Sequence, residues 1–126
     1  MTFEEALKRL AEKEPEKFRI QSFPYQGHTV SAFSYSIHGV SSEAFWDGSG
    51  FSQDDIDAIL AEIGWEYTLT IFQSGLPHEW AYDLYKARTI YDGDRCEAGS
   101  DDELFPTKLE AAKNALIAVV EREYPL

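Results

Sequence analysis

The sequence predicts a single α+β domain spanning residues 1–126, an antiparallel sheet of about four strands with three helices in the order α-β-β-α-β-β-α. Three observations carry this. Three segments combine a capping residue with an apolar stripe at helical spacing. Two pairs of alternating segments are joined by turns too short for anything but antiparallel neighbours. The chain has the length of one ordinary domain, with 126 residues, 44% of them hydrophobic and 18 of them aromatic, enough for one core and far from a disordered composition. Helices packed mainly on one face of the sheet make the economical architecture.

The first helix is expected from Phe3 to Glu14. Thr2 is a good N-cap and Glu5, three residues on, completes a capping-box pattern in which its carboxylate reaches back to the cap's amide. Phe3, Ala6, Leu7, Leu10 and Ala11 fall on one stripe, and Pro15 marks the end. Next come two strands, Phe18 to Phe23 and Thr29 to His38, around the turn residues Pro24-Tyr25-Gln26-Gly27. The stretch from Gly39 to Gly50 reads as a loop with room for a short additional strand. Phe45 and Trp46 within it are two bulky aromatics beside a glycine-rich turn, either a plug over the core or an anchor for a partner.

The second helix is expected from Gln53 to Ile63. Ser52 caps it, Asp54, Asp55 and Asp57 suit the positive end of its dipole, and Ile56, Ile59, Leu60 and Ile63 form its stripe before Gly64 stops it. Trp65 to Gln73 alternates Trp65, Tyr67, Leu69 and Ile71 with Glu66, Thr68 and Thr70, the pattern of a half-buried strand. A turn at Ser74-Gly75-Leu76-Pro77 leads into a fourth strand, Glu79 to Tyr91, with Trp80, Tyr82 and Leu84 on one side and Tyr85 and Tyr91 on the other. Asp92 to Glu103 has no periodicity and reads as a solvated acidic loop. Thr107 and Glu110 make another capping box at the start of the third helix, Lys108 to Glu123, with Leu109, Ala112, Leu116, Val119 and Val120 facing inward. Each half offers a helix followed by a hairpin, a weak internal echo.

Charge narrows the function more than any motif. Acids outnumber bases 23 to 11, for a net charge of −12. Between Ile20 and Tyr85 there is no lysine or arginine, while Glu43, Asp47, Asp54, Asp55, Asp57, Glu62, Glu66, Glu79 and Asp83 supply nine negative charges. Such a field gains nothing from phosphates and repels anionic membranes, so no direct nucleic-acid binding and no membrane contact are expected. No apolar run is long enough for a membrane span, and the amino-terminal stretch lacks the apolar core of a signal peptide. A cytoplasmic location is therefore expected, including a host cytoplasm if the chain is phage-encoded. Cys96 is the single cysteine, so no internal disulfide framework exists.

The chemical candidates are sparse. His28, His38 and His78 share no ligand spacing, Cys96 lies among carboxylates that hold a thiol protonated, and the acidic loop departs from the EF-hand pattern after Asp94. No phosphate loop, nucleophile elbow or dinucleotide fingerprint occurs. No metal and no cofactor are expected. His78, Glu79 and Asp83 form the nearest approach to a catalytic cluster.

The expected function is a non-enzymatic acidic binding protein that presents its negative surface to a basic protein partner. Phage anti-defence proteins and immunity proteins, some of them mimics of nucleic acid, offer an analogy of charge and size alone. Asp54, Asp55, Asp57 and Glu62 supply the charge of the expected contact, with Phe45 and Trp46 as aromatic anchors. Two other classes stand beside it: a small enzyme centred on His78, Glu79 and Asp83, and an assembly module that forms a homodimer through the second sheet face.

Overall fold

The computed structural model describes residues 1–37, 40–45, 50–71, 79–86, 98–100 and 103–125. Its elements run α1 (Phe3–Lys13), β1 (Phe18–Tyr25), β2 (His28–Ile37), β3 (Val40–Phe45), α2 (Gln53–Glu62), β4 (Trp65–Ile71), β5 (Trp80–Lys86), β6 (Ala98–Gly99) and α3 (Lys108–Glu123). The α+β class and the order of helices and hairpins are those the sequence predicts. The sheet is divided: among the described residues, strands pair as two antiparallel meanders, β1-β2-β3 and β4-β5-β6, in place of a single sheet.

Each helix begins where its cap places it, with differences in detail. The reciprocal capping box appears at α2, where the Asp55 amide donates to the Ser52 hydroxyl and the Ser52 amide donates to the Asp55 carboxylate at 2.9 Å. At α1 the Glu5 carboxylate accepts the Thr2 hydroxyl at 3.2 Å and not the cap's amide as expected. At α3, Thr107 accepts from the Glu110 amide at 3.1 Å, and the expected return bond from the Glu110 carboxylate to the cap's amide is not formed. Gly64, at φ +86°, ends α2 in the left-handed region that only glycine enters without strain.

The first hairpin turns one residue later than expected. Gln26 and Gly27 both have positive φ, 48° and 80°, the requirement of a two-residue type I′ turn. Pro24 thus lies inside β1, opposite Thr29. With Tyr25 and His28 as the hydrogen-bonded closing pair, Pro24 occupies a position whose nitrogen points to the open edge, where a missing N–H costs no ladder bond.

One core joins both meanders to the helices. Phe18, Phe33, Tyr35, Trp65, Tyr82 and Leu84 from the strands meet Ala6, Leu7, Leu10, Ile56, Ile59, Leu60, Leu116, Val119 and Val120 from the helices. The α3 helix touches α1, α2, β4 and β5, so its buried stripe is wider than the expected one and takes in Ala111 and Ala115, while Leu109 is half-buried. Phe51, one residue before the α2 cap, is buried and stacks edge-on against Phe3 at 5.2 Å and near Phe33 at 5.8 Å. It holds the position that packs over the fourth helical residue, Ile56, in a hydrophobic staple.

Two loop expectations are corrected. The short additional strand allowed for between Gly39 and Gly50 is β3, and Phe45 ends it opposite Ala32 in place of lying in a loop; Trp46 lies outside the described residues. Within the stretch expected to be a solvated acidic loop, Ala98–Gly99 pairs with β5 and Ser100 is buried. The Ser100 amide donates to the Tyr82 carbonyl at 3.0 Å and its hydroxyl accepts the Tyr82 amide at 3.1 Å, which continues the ladder by one side chain. No helix among the described residues is long and apolar enough to cross a membrane.

Candidate functional site

A groove of about 490 Å³ opens between α2 and β4, lined by Gln53, Asp57, Ala61, Trp65, Glu66, Tyr67, Leu69, Trp80 and Lys108. Gln53, Asp57 and Ala61 recur every fourth residue and so form one wall along α2. Trp65, Tyr67 and Leu69 alternate along β4 on the face it shares with Leu84 and Tyr82 of β5. Trp80 opens β5, and the far side of the groove is closed by the start of α3.

That closure comes from a two-bond bridge. The Trp80 amide donates to the Phe105 carbonyl and the Phe105 amide to the Trp80 carbonyl, each at 2.9 Å. The rings of Tyr82 and Phe105 stack at 6.0 Å behind it. Three residues beyond the bridge, the ammonium of Lys108 stands 4.9 Å from the centre of the Trp80 ring.

The polar wall is organised around Tyr67. Its hydroxyl donates to the Asp57 carboxylate, which ties β4 to the exposed side of α2. Burial, then the hydrogen bond and charge of Asp57, push the Tyr67 hydroxyl well above its ordinary value, so it remains a neutral donor. At the closed end, the buried Trp65 indole donates to the Glu123 carboxylate at 3.1 Å, with Lys86 and Arg122 each 5.6 Å from its ring.

The expected contact residues divide between surface and interior. Asp54 is exposed at the first turn of α2. Asp57 is exposed too, but its carboxylate already accepts Tyr67. Asp55 is committed internally, to the capping box and to the Tyr35 hydroxyl at 2.6 Å. Glu62 forms an ion pair with Lys17 at 3.3 Å. The structure therefore brings Asp57 to the groove, leaves Asp54 on the same exposed side, and draws Asp55 and Glu62 into its own framework.

Comparison with protein-family models, with curated proteins and with solved structures finds no match. The site is read from its own chemistry.

The cluster considered for catalysis is not assembled among the described residues. His78 lies outside them, as do His38 and Cys96; Glu79 and Asp83 are half-buried near and within β5. His28 is exposed at the hairpin turn. Among the described residues no group of three His, Cys, Asp or Glu side chains is placed to hold a metal ion. The outer face of the second meander, expected as an apolar dimer surface, carries exposed Glu66 and Thr68 with half-buried Asp83 and Tyr85. Tyr91 of that expected face lies outside the described residues; among the described residues, large apolar side chains are exposed at Met1, Phe23, Tyr25 and Leu104.

Gln53, Glu66, Tyr67, Trp80 and Lys108 were not legible as one site. Trp80 and Tyr67 read as ordinary strand aromatics, because the 3.6 and 2.0 periodicities say which face a residue takes and not which helix end lies over it. One local signal does exist: Lys108 is a cation in the first turn of a helix, where the dipole favours an anion.

Proposed function

We propose that this chain is a non-enzymatic acidic binding protein whose α2–β4 side receives a basic protein surface. The supporting observation is the groove itself, which places the exposed carboxylate of Asp57 beside the rings of Tyr67 and Trp80. Asp54 adds a further exposed charge on α2. Aromatic area at the centre with carboxylates around it is the composition of a contact for lysine and arginine side chains. An inhibitor that occupies the nucleic-acid-binding groove of its target, as anti-defence and immunity-type proteins do, is the finer form of this reading. The net charge of −12 suits it, because it complements a groove shaped for phosphates.

The test joins capture to kinetics. A protein recovered from lysate on the immobilised chain should carry a basic surface and elute with salt. Its association should be fast at low ionic strength and slow steeply as salt rises. Asp54→Lys combined with Glu66→Lys should lower the association rate without unfolding the domain, since both side chains are exposed. Reversal of Asp55 is unsuitable here because it would break the α2 cap. An unchanged rate with salt-insensitive affinity would refute the reading.

A further inference from the structure

We propose that the α2–β4 groove seats a lysine side chain of the partner, and that Lys108 is the resident cation which that lysine displaces from the Trp80 ring. This rests on the acidic-binding reading above and adds where, and against what competitor, the contact is made.

Lys108 departs from the pattern of the other two helices. The first turns of α1 and α2 carry Glu4 and Glu5, and Asp54 and Asp55, in keeping with the positive end of a helix dipole. The first turn of α3 carries a single acid, Glu110, and opens on Lys108, which lies against the dipole, is exposed, and has the Trp80 ring 4.9 Å away. An exposed cation over a ring is weakly held, and its position at a helix start weakens it further. The groove thus demonstrates its taste for an ammonium with one that is easily given up.

What surrounds that ammonium suits a second lysine better than the first. A partner lysine enters from solvent and carries no helix dipole behind it. It meets the faces of Trp80 and Tyr67 and the carboxylate of Asp57 in one space, with Asp54 exposed on the same side of α2. Tyr67 occupies one oxygen of Asp57, and a carboxylate has acceptor capacity beyond a single bond. At about 490 Å³ the groove holds a lysine side chain together with part of its neighbours, within the roughly 300–1,000 Å³ typical of ligand sites. An anionic occupant would face Asp57, with Asp54 on the same side of α2, and gain one exposed ammonium, so the balance of charge selects a cation.

The probe is a hexalysine peptide titrated calorimetrically against the full chain at low ionic strength. Lys108→Gln removes the resident competitor, and Lys113→Gln is the charge-matched control, since Lys113 stands over Phe3 at 5.4 Å and does not line the groove. Lys108→Gln should bind hexalysine at least about threefold tighter than Lys113→Gln, the factor that an exposed cation–π contact is worth. Trp80→Leu should weaken binding by about fivefold for the same reason, with its fold verified by circular dichroism. Equal affinities for the two glutamine variants, or weaker binding by Lys108→Gln, would overturn the proposal. If wild type binds hexalysine in a salt-sensitive way while Trp80→Leu and Lys108→Gln leave the affinity unchanged, the groove is excluded and the acidic-surface reading stands. Failure of wild type to bind at all would overturn both.

Discussion

Leu116 shows how far a single residue could be read in advance. Its place on the stripe of the third helix requires burial, and it is fully buried where α3 meets both other helices. Leu116→Ala should cost about 2–5 kcal/mol, from lost transfer energy and the cavity left behind; denaturant titration of the two proteins measures it. The tyrosines could not be read in this way, because their behaviour depends on partners distant in sequence. Burial first, and then Glu14, whose carboxylate accepts its hydroxyl at 3.3 Å, push Tyr124 up to about 12. A raised value means that the folded state prefers the neutral phenol. Its contribution to stability is complete below the unfolded value of 10.0 and is lost as pH climbs through about 12. Tyr67 is shifted in the same direction by burial and Asp57. In an alkaline titration followed by tyrosinate absorbance, these two should therefore ionise late. Tyr124→Phe should remove part of that late phase and flatten the loss of stability above pH 10.0. A late phase of unchanged amplitude in both Tyr67→Phe and Tyr124→Phe would contradict this assignment.

Among the elements, the second helix carries the most closely tested expectation. Asp54 and Asp55 are neighbours of identical chemistry, and sequence alone gives them one role at the positive end of the dipole. The structure separates them: Asp55 closes the box with Ser52 and accepts Tyr35 from β2, while Asp54 is exposed. Asp55→Ala should accordingly cost about 1–2 kcal/mol, the range of a lost cap, with the orphaned Tyr35 hydroxyl pushing it toward the upper end. Asp54→Ala should change stability by less than about 0.5 kcal/mol, as surface substitutions do. Equal costs for the pair would mean that the dipole, and not the box, is what matters. Caps and stripes were legible because each is set within one turn of helix. Sheet detail was less so. The sequence shows that Pro24 and Gly27 lie near a turn, but the position of the turn depends on which residues adopt positive φ, and here Gln26 shares that role with Gly27. Nor does any period mark Ala98–Gly99 as a strand, since two residues held by Tyr82 and Ser100 are too few to show one.

For the molecule as a whole, the internal echo of helix and hairpin becomes a repeated unit of helix and three-stranded meander, α1-β1-β2-β3 then α2-β4-β5-β6, with α3 packed on both leading helices. The charge does not follow this repeat. The residues up to Arg19 contain as many bases as acids, whereas the second unit contributes seven of the nine acids in the base-free window. With 23 acids and 11 bases, the majority of carboxylates have no base to pair with one-to-one, whatever the geometry. Some of the bases are directed to aromatic rings instead, Lys108 to Trp80 and Lys113 to Phe3. Self-repulsion should therefore lower the stability of the compact state at low ionic strength. Raising sodium chloride from about 0.01 M to about 0.15 M shortens the screening length from about 30 Å to about 8 Å, less than the width of the domain, and should raise the thermal midpoint. Glu66→Lys offers the control: it moves the net charge from −12 to −10 within the acidic window, at an exposed strand position away from any helix cap. Its midpoint at low salt should exceed that of wild type, and its gain on adding salt should be smaller. A wild-type midpoint that is flat or falls over this range, measured by scanning calorimetry, would show that the carboxylates are already far enough apart not to interact.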